Sequence, residues 1–281
     1  MKRLSLVALA AVPIVASACF PSLDGLVSTS NDASVTADAR NEDGSLVVAT
    51  DAAKDADDAS ARWCKTHASP DDFCCDFDPD DVSMCGVSTN TDGNGSLIVN
   101  RSVFESPPAA LQVTVPAADG GEGAFARSHL EWNAKSSSLT DVDLSFSLRL
   151  DKIGTPNAVG LANVNFASGT KAWESRLNLD TAGRLYVSQF DPQTKTYTEP
   201  YHAPTALAVG TWTRVRFHTK LVVVGQATVD LEVDGKPLTS GLAMNPTLTS
   251  GSLQLLLGIT FSPAPTTGWG LHVDNLLVTP K

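Results

Sequence analysis

Val229-Asp-Leu-Glu-Val-Asp234-Gly235-Lys-Pro-Leu238 is the stretch on which the fold class turns. Val229, Leu231 and Val233 alternate with acids, the period of a strand that buries one face. Asp234-Gly235 supplies the residue pair that accepts positive φ in a type I′ turn, so the chain folds back as an antiparallel hairpin. Leu177-Asn-Leu-Asp-Thr-Ala-Gly183-Arg-Leu-Tyr-Val187 repeats the device, with Gly183 in a polar loop between two alternating runs. On either side, similar runs occur near 96–101, 109–117, 124–133, 141–151, 157–166, 172–179, 183–190, 194–199, 212–222, 226–234, 252–261 and 269–279. No window sustains a 3.6-residue period beyond a turn or two, so the class is all-β.

So many strands bury their edges and inner faces best as two sheets packed face to face. Gly210-Thr-Trp212-Thr-Arg-Val-Arg-Phe217, the Val229–Leu238 hairpin and Gly268-Trp-Gly-Leu-His-Val-Asp274-Asn275-Leu-Leu-Val278 follow one another in that order. Upstream stand Phe73-Cys-Cys-Asp76-Phe77-Asp78, Gly95-Ser-Leu-Ile-Val99 and Ser106-Pro-Pro-Ala-Ala-Leu111. Over about residues 70–281 this order resembles the concanavalin A-like lectin/glucanase domains, the laminin G-like ones included. The resemblance implies a two-sheet antiparallel β-sandwich of the jelly-roll kind.

Residues 63–281 carry 22 acids against 15 bases and no Lys/Arg cluster, a balance that repels phosphate backbones and excludes nucleic acid as a partner. No apolar run is long enough for a membrane span. The N-terminus reads as an address. Met1-Lys2-Arg3 is cationic, residues 4–14 are apolar, and Val15-Ala-Ser-Ala18 is a small-residue run, so 1–18 is a secretory signal peptide. Cys19 directly after it resembles the lipidated cysteine of bacterial lipoproteins, with Ala16 where those boxes more often have Leu. That resemblance implies an exported, lipid-anchored protein. Phe20 rather than Asp after the cysteine implies the outer membrane or cell surface. Membrane contact is expected through that anchor only. Residues 19–62, rich in Ala, Asp, Ser and Thr, read as a disordered spacer. The sandwich then occupies 63–281, with a Cys-rich leading segment at 63–86.

Of the five cysteines, lipidation of Cys19 leaves four, Cys64, Cys74, Cys75 and Cys85, an even number suited to an oxidising compartment. Two short sequential loops, Cys64 with Cys74 and Cys75 with Cys85, are favoured over the crossed pairing. The spacing lacks the paired C-x2-4-C of a zinc site.

Catalytic patterns are absent or incomplete. Glu232-Val-Asp234 begins an E-x-D-x-x-E glucanase motif that stops at Pro237, and Asp141-Val-Asp143 stops at Phe146. His67, His129, His202, His218 and His272 are scattered, without a nucleophile elbow or H-E-x-x-H. Asn90-Thr-Asp92-Gly-Asn94-Gly95 imitates half a calcium loop but has Arg101 where a bidentate Glu belongs, so it reads as a surface loop. In related sandwiches a structural calcium joins the first and last strands, which implies Asp76 or Asp78 with Asp274 as ligands. No other cofactor is expected. Sugar recognition by stacking draws on exposed aromatics, and Trp173, Tyr186, Tyr197 and Tyr201 stand mid-domain; Trp132 and Trp212 read as core. The expectation is therefore a noncatalytic surface lipoprotein that binds a glycan or another extracellular partner. Two alternatives stand beside it, a protein–protein scaffold and a divergent glycoside hydrolase or polysaccharide lyase.

Overall fold

The computed structural model describes residues 63–77, 82–117, 125–263 and 265–281. The signal peptide, Cys19, the spacer and Asp78 lie outside them. Among the described residues fifteen strands, numbered in chain order, form two antiparallel sheets. The first sheet runs β13 (Lys236–Met244), β12 (Gln226–Val233), β11 (Trp212–Val223), β6 (Asp141–Lys152), β15 (Trp269–Pro280), β4 (Ala110–Val115), β3 (Ser96–Asn100). β1 (Phe73–Cys75) pairs with β15 beyond the end of β4. The second sheet runs β10 (Thr196–Ala206), β9 (Arg184–Asp191), β8 (Lys171–Leu179), β7 (Val159–Ser168), β14 (Ser252–Pro263), β5 (Phe125–Asn133), β2 (Ser88–Asp92). The all-β sandwich expected from the sequence is the observed fold.

Both hairpins read from the sequence are present. β12 and β13 meet through Asp234 (φ 50°) and Gly235 (φ 72°), while β8 and β9 pair with Leu179 opposite Leu185. β2, and β13 beyond Leu238 of the expected hairpin, are not among the strands expected from the sequence. β13 is an exposed edge strand carrying Pro237 and Gly241, so it has no alternating face to betray it. β2 was read as part of a surface loop; its side chains are almost all exposed, and the Gly93-Asn94 turn after it leads from the second sheet into the first.

Between the sheets the alternation closes into one core. Leu144, Phe146, Leu148, Val215 and Phe217 come from the first sheet and Val164, Phe166, Trp173, Leu177 and Leu255 from the second, all at most 1% exposed. One polar bridge crosses this core, Ser175 Oγ to Thr219 Oγ at 2.8 Å, and pairing the two hydroxyls removes the cost of burying either alone. Trp269 closes the core on β15, but Trp212 corrects the sequence reading. It precedes the inward-facing Thr213 and so points out of the first sheet, where its ring meets His272 edge-on at 6.4 Å.

The leading segment is tied down by the favoured pairing, Cys64–Cys74 and Cys75–Cys85. Two such bonds are those of a protein that matures in an oxidising, extracellular-type compartment. Among the described residues no helix is long and apolar enough to cross a membrane.

Candidate functional site

The two outer faces differ in chemistry. On the first sheet, the carboxylates that mimicked a glycosidase motif are spent on neighbours. Asp143 accepts from Arg216 at 2.5 Å with Glu232 behind it at 3.6 Å, and His218 sits between Asp141 (2.9 Å) and Asp230 (3.0 Å). This is a ladder of cross-strand ion pairs on a solvated surface.

Asp274 is fully buried on β15, at the bulge where the register against β6 shifts. Its Oδ2 accepts from the backbone N–H of Glu105 (2.9 Å) and of Ser106 (2.8 Å), and its Oδ1 from that of Asn275 (2.7 Å). The carboxylate pins the 105–106 turn onto the sheet through amide hydrogens. Asp76 is buried too, and no cluster of three or more His, Cys, Asp or Glu side chains occurs among the described residues. Burial outweighs those donors and pushes the Asp274 carboxyl from 3.8 up to about 6. The folded state therefore holds this proton more tightly than the unfolded chain. Its contribution to stability is full below pH 3.8 and is lost as pH rises through about 6. Over that window the change should be on the order of 2–3 kcal/mol. Chemical denaturation at a series of pH values should show the wild type losing about this much stability relative to Asp274→Asn across the window; equal slopes in the two refute the assignment.

The outer face of the second sheet holds a cleft. Period-two alternation turns Glu174, Arg176 and Asn178 of β8 outward, Asn163 of β7 and Tyr186 and Ser188 of β9 likewise, while Trp173, Ser175 and Leu177 turn inward. Asn163, Arg176, Asn178, Tyr186, Tyr197, Thr260 and Phe261 line a hollow of about 540 Å³. Each of the polar groups is held in place. Glu174 takes the Nε of Arg176 at 2.6 Å and a second guanidinium nitrogen, and the guanidinium lies 4.7 Å over the Phe190 ring. Thr260 Oγ1 donates to Asn163 Oδ1 at 3.1 Å, and Asn178 Nδ2 donates to Ser188 Oγ at 2.9 Å. No carboxylate is among the lining residues described.

Two tyrosines form the chemical centre of the cleft. Burial raises the Tyr186 phenol far above its ordinary range, and it donates its hydrogen bond to Tyr197. Tyr197 is raised as well, first by burial, although Ser188 and Tyr186 pull the other way and the Glu199 charge adds to the rise. Glu199 Oε2 lies 3.2 Å from His202 Nε2, and the His202 ring stacks on Tyr186 at 4.9 Å and 7°. Tyr186 and Tyr197 thus share one hollow, with the Glu199–His202 pair stacked against Tyr186. Further across the sheet, His129 of β5 is buried beside Glu131 at 3.2 Å, and burial lowers its basicity. It is opposed by Gly258 (φ +130°), where a Cβ would fall 2.7 Å from the Ser128 carbonyl oxygen.

Of the four aromatics expected to bind sugar, the structure brings Tyr186 and Tyr197 together in the cleft. It does not place Trp173 or Tyr201 there. Trp173 is inward-facing and fully buried, its Nε1 donating to Gln189 at 3.3 Å. Tyr201 packs on the core with its hydroxyl donating to the Leu238 carbonyl at 3.0 Å. Arg176, Asn163 and Asn178 escaped the sequence reading, although Glu174, Arg176 and Asn178 are successive polar positions of one strand face and were legible as such.

No family model and no curated protein matches the sequence. Solved structures match the fold. An alginate lyase from Aplysia kurodai superposes with a TM-score of 0.56 at 11% identity, over 76% of this chain and all of that one. An endo-beta-1,4-glucuronan lyase from Trichoderma reesei gives 0.54 at 14%, over 68% of this chain and 89% of its own. An alginate lyase from Chlorella virus gives 0.52 at 8%, over 69% and 92%. At such identities the likeness shows the fold alone. It nevertheless overturns the expectation of a noncatalytic, non-enzymatic binding module. That expectation rested on missing glycosidase and hydrolase motifs, and these sandwiches bear the names of enzymes that cleave polysaccharides by elimination, a reaction with no need of two flanking carboxylates.

Proposed function

We propose that this chain is a divergent polysaccharide lyase that cuts a uronate-containing polymer in the cleft of its second sheet. The carrying observation is the pairing, within one hollow, of a clamped arginine and two amides with two tyrosines, one of which stacks on the histidine of a Glu–His pair. In β-elimination the C5–H bond and the C4–O bond of a uronate break and a C4=C5 double bond forms. The C5 proton becomes acidic only when the neighbouring carboxylate is neutralised, which Arg176 with Asn163 and Asn178 would do. Tyr197 would take the C5 proton, with Glu199 and His202 as the outlet for its own, and a tyrosine of the pair would return a proton to the departing oxygen. A hydrolase is disfavoured because no pair of carboxylates lines the cleft among the described residues. A bare scaffold is disfavoured by the aromatics on this outer face. The test is the ultraviolet absorbance of the unsaturated product on incubation with alginate and with polyglucuronate. No rise on any uronate polymer would overturn the reading.

The anchor belongs to the same proposal. A lipid on Cys19 followed by the acidic spacer of 19–62 would hold the enzyme at the outer membrane or cell surface, facing extracellular polymer. Detergent partition of the exported protein should place the wild type in the detergent phase and Cys19→Ser in the aqueous phase; a wild type found in the aqueous phase removes the anchor.

A further inference from the structure

Beyond the rim of the cleft lies a feature that elimination itself does not use. Phe261 borders the hollow and is 50% exposed; Phe125, one strand further along on β5, is 42% exposed. Their rings stack on one another at 6.0 Å and 23°, and Arg127 stands with its guanidinium carbon 5.6 Å over Phe125. Large aromatics are more often buried, so an exposed stacked pair contiguous with a polar cleft marks a binding surface. Its chemistry is selective. A flat apolar surface suits the C–H face of a pyranose ring, and a cation at its edge suits the carboxylate that a uronate carries. The same combination recurs beside the cleft, where Arg176 of its lining lies over Phe190. The two aromatic–cation units are arranged along one sheet face, as a polymer with a charge on every sugar would require.

We propose that Phe125, Phe261 and Arg127 form an additional subsite that holds a uronate residue of the polymer next to the one being cut. This rests on the lyase reading of the adjacent cleft, and its test keeps the two apart. Affinity electrophoresis of the full chain through gels containing sodium alginate, or dextran as the neutral control, measures binding without requiring turnover. The wild type should be retarded by alginate and not by dextran. Phe261→Ala should weaken alginate retardation by roughly tenfold and Phe261→Trp should preserve it, both with the melting temperature of the wild type because the ring is half in solvent. Arg127→Gln should weaken it too. A Phe261→Ala variant that binds alginate as tightly as the wild type overturns the subsite, whatever the enzyme activity. Equal retardation by dextran overturns its uronate preference. Binding that depends on Phe261 without any unsaturated product leaves the subsite standing and removes the lyase. A wild type that neither binds nor cleaves alginate or polyglucuronate removes both.

Discussion

Tyr197→Phe should reduce the rate of unsaturated-product formation from a uronate polymer by ~10²–10⁴, the range a positioned proton-transfer group contributes, while leaving the fold intact. The substitution removes one oxygen from a ring that is 44% exposed, so packing changes little. The hydroxyl it removes is the one whose proton Ser188, Tyr186 and Glu199 influence. Because burial holds the Tyr197 proton more firmly than in water, the wild-type rate should climb as pH rises into the alkaline range. Glu199→Gln should keep affinity for the polymer, lower the maximal rate and shift that climb to lower pH, because the Glu199 charge is one of the groups that hold the Tyr197 proton. If Tyr197→Phe turns over at the wild-type rate, the proton is handled elsewhere, with His129 the next group on this face to examine. If instead affinity falls and the maximal rate does not, the tyrosine binds without reacting.

How much of this was legible in the sequence divides by the kind of signal. Strands with one buried face announce themselves because the core imposes a period of two on them, as in Val229-Leu231-Val233. β2 shows no such period because its side chains are almost all exposed, and β13 because only Leu238, Leu242 and Met244 reach the core from an otherwise exposed edge. The disulfides followed from short loops and an even count. The cleft was half legible, because a tyrosine on a strand looks the same whether its ring turns inward or out; parity with neighbours decides, and Tyr186 lies between Leu185 and Val187, both in the core. Catalysis was misjudged for a different reason. Two-carboxylate hydrolysis leaves a linear motif on one strand, whereas Asn163, Arg176, Tyr186 and Tyr197 come from four strands that only the sheet order places side by side. No spacing in the chain encodes that neighbourhood.

Trp173 shows the same parity rule from the inside, and replacing it carries the largest expected cost in stability. Its sequence context, Ala172-Trp173-Glu174, suits a surface aromatic equally well, and it was counted among the candidate sugar-binding residues. In the folded chain its ring is 0% exposed, packs 6.5 Å from Phe166 across the β7–β8 pair, and anchors Gln189, whose Oε1 also accepts the Asn245 backbone N–H at 2.8 Å. Trp173→Ala should therefore destabilise the domain by about 3–5 kcal/mol, combining the lost apolar burial with the void left behind. Trp173→Phe keeps most of the volume and gives up the indole hydrogen bond, so it should cost roughly 1–2 kcal/mol. Urea denaturation followed by circular dichroism measures both. Polymer affinity per folded molecule should be unchanged in Trp173→Phe, since the ring is sealed from solvent on the inner side of the sheet. An Ala variant as stable as the wild type but unable to bind polymer would put the tryptophan back on the surface, and with it would reverse the register of β8 that brings Arg176 and Asn178 into the cleft.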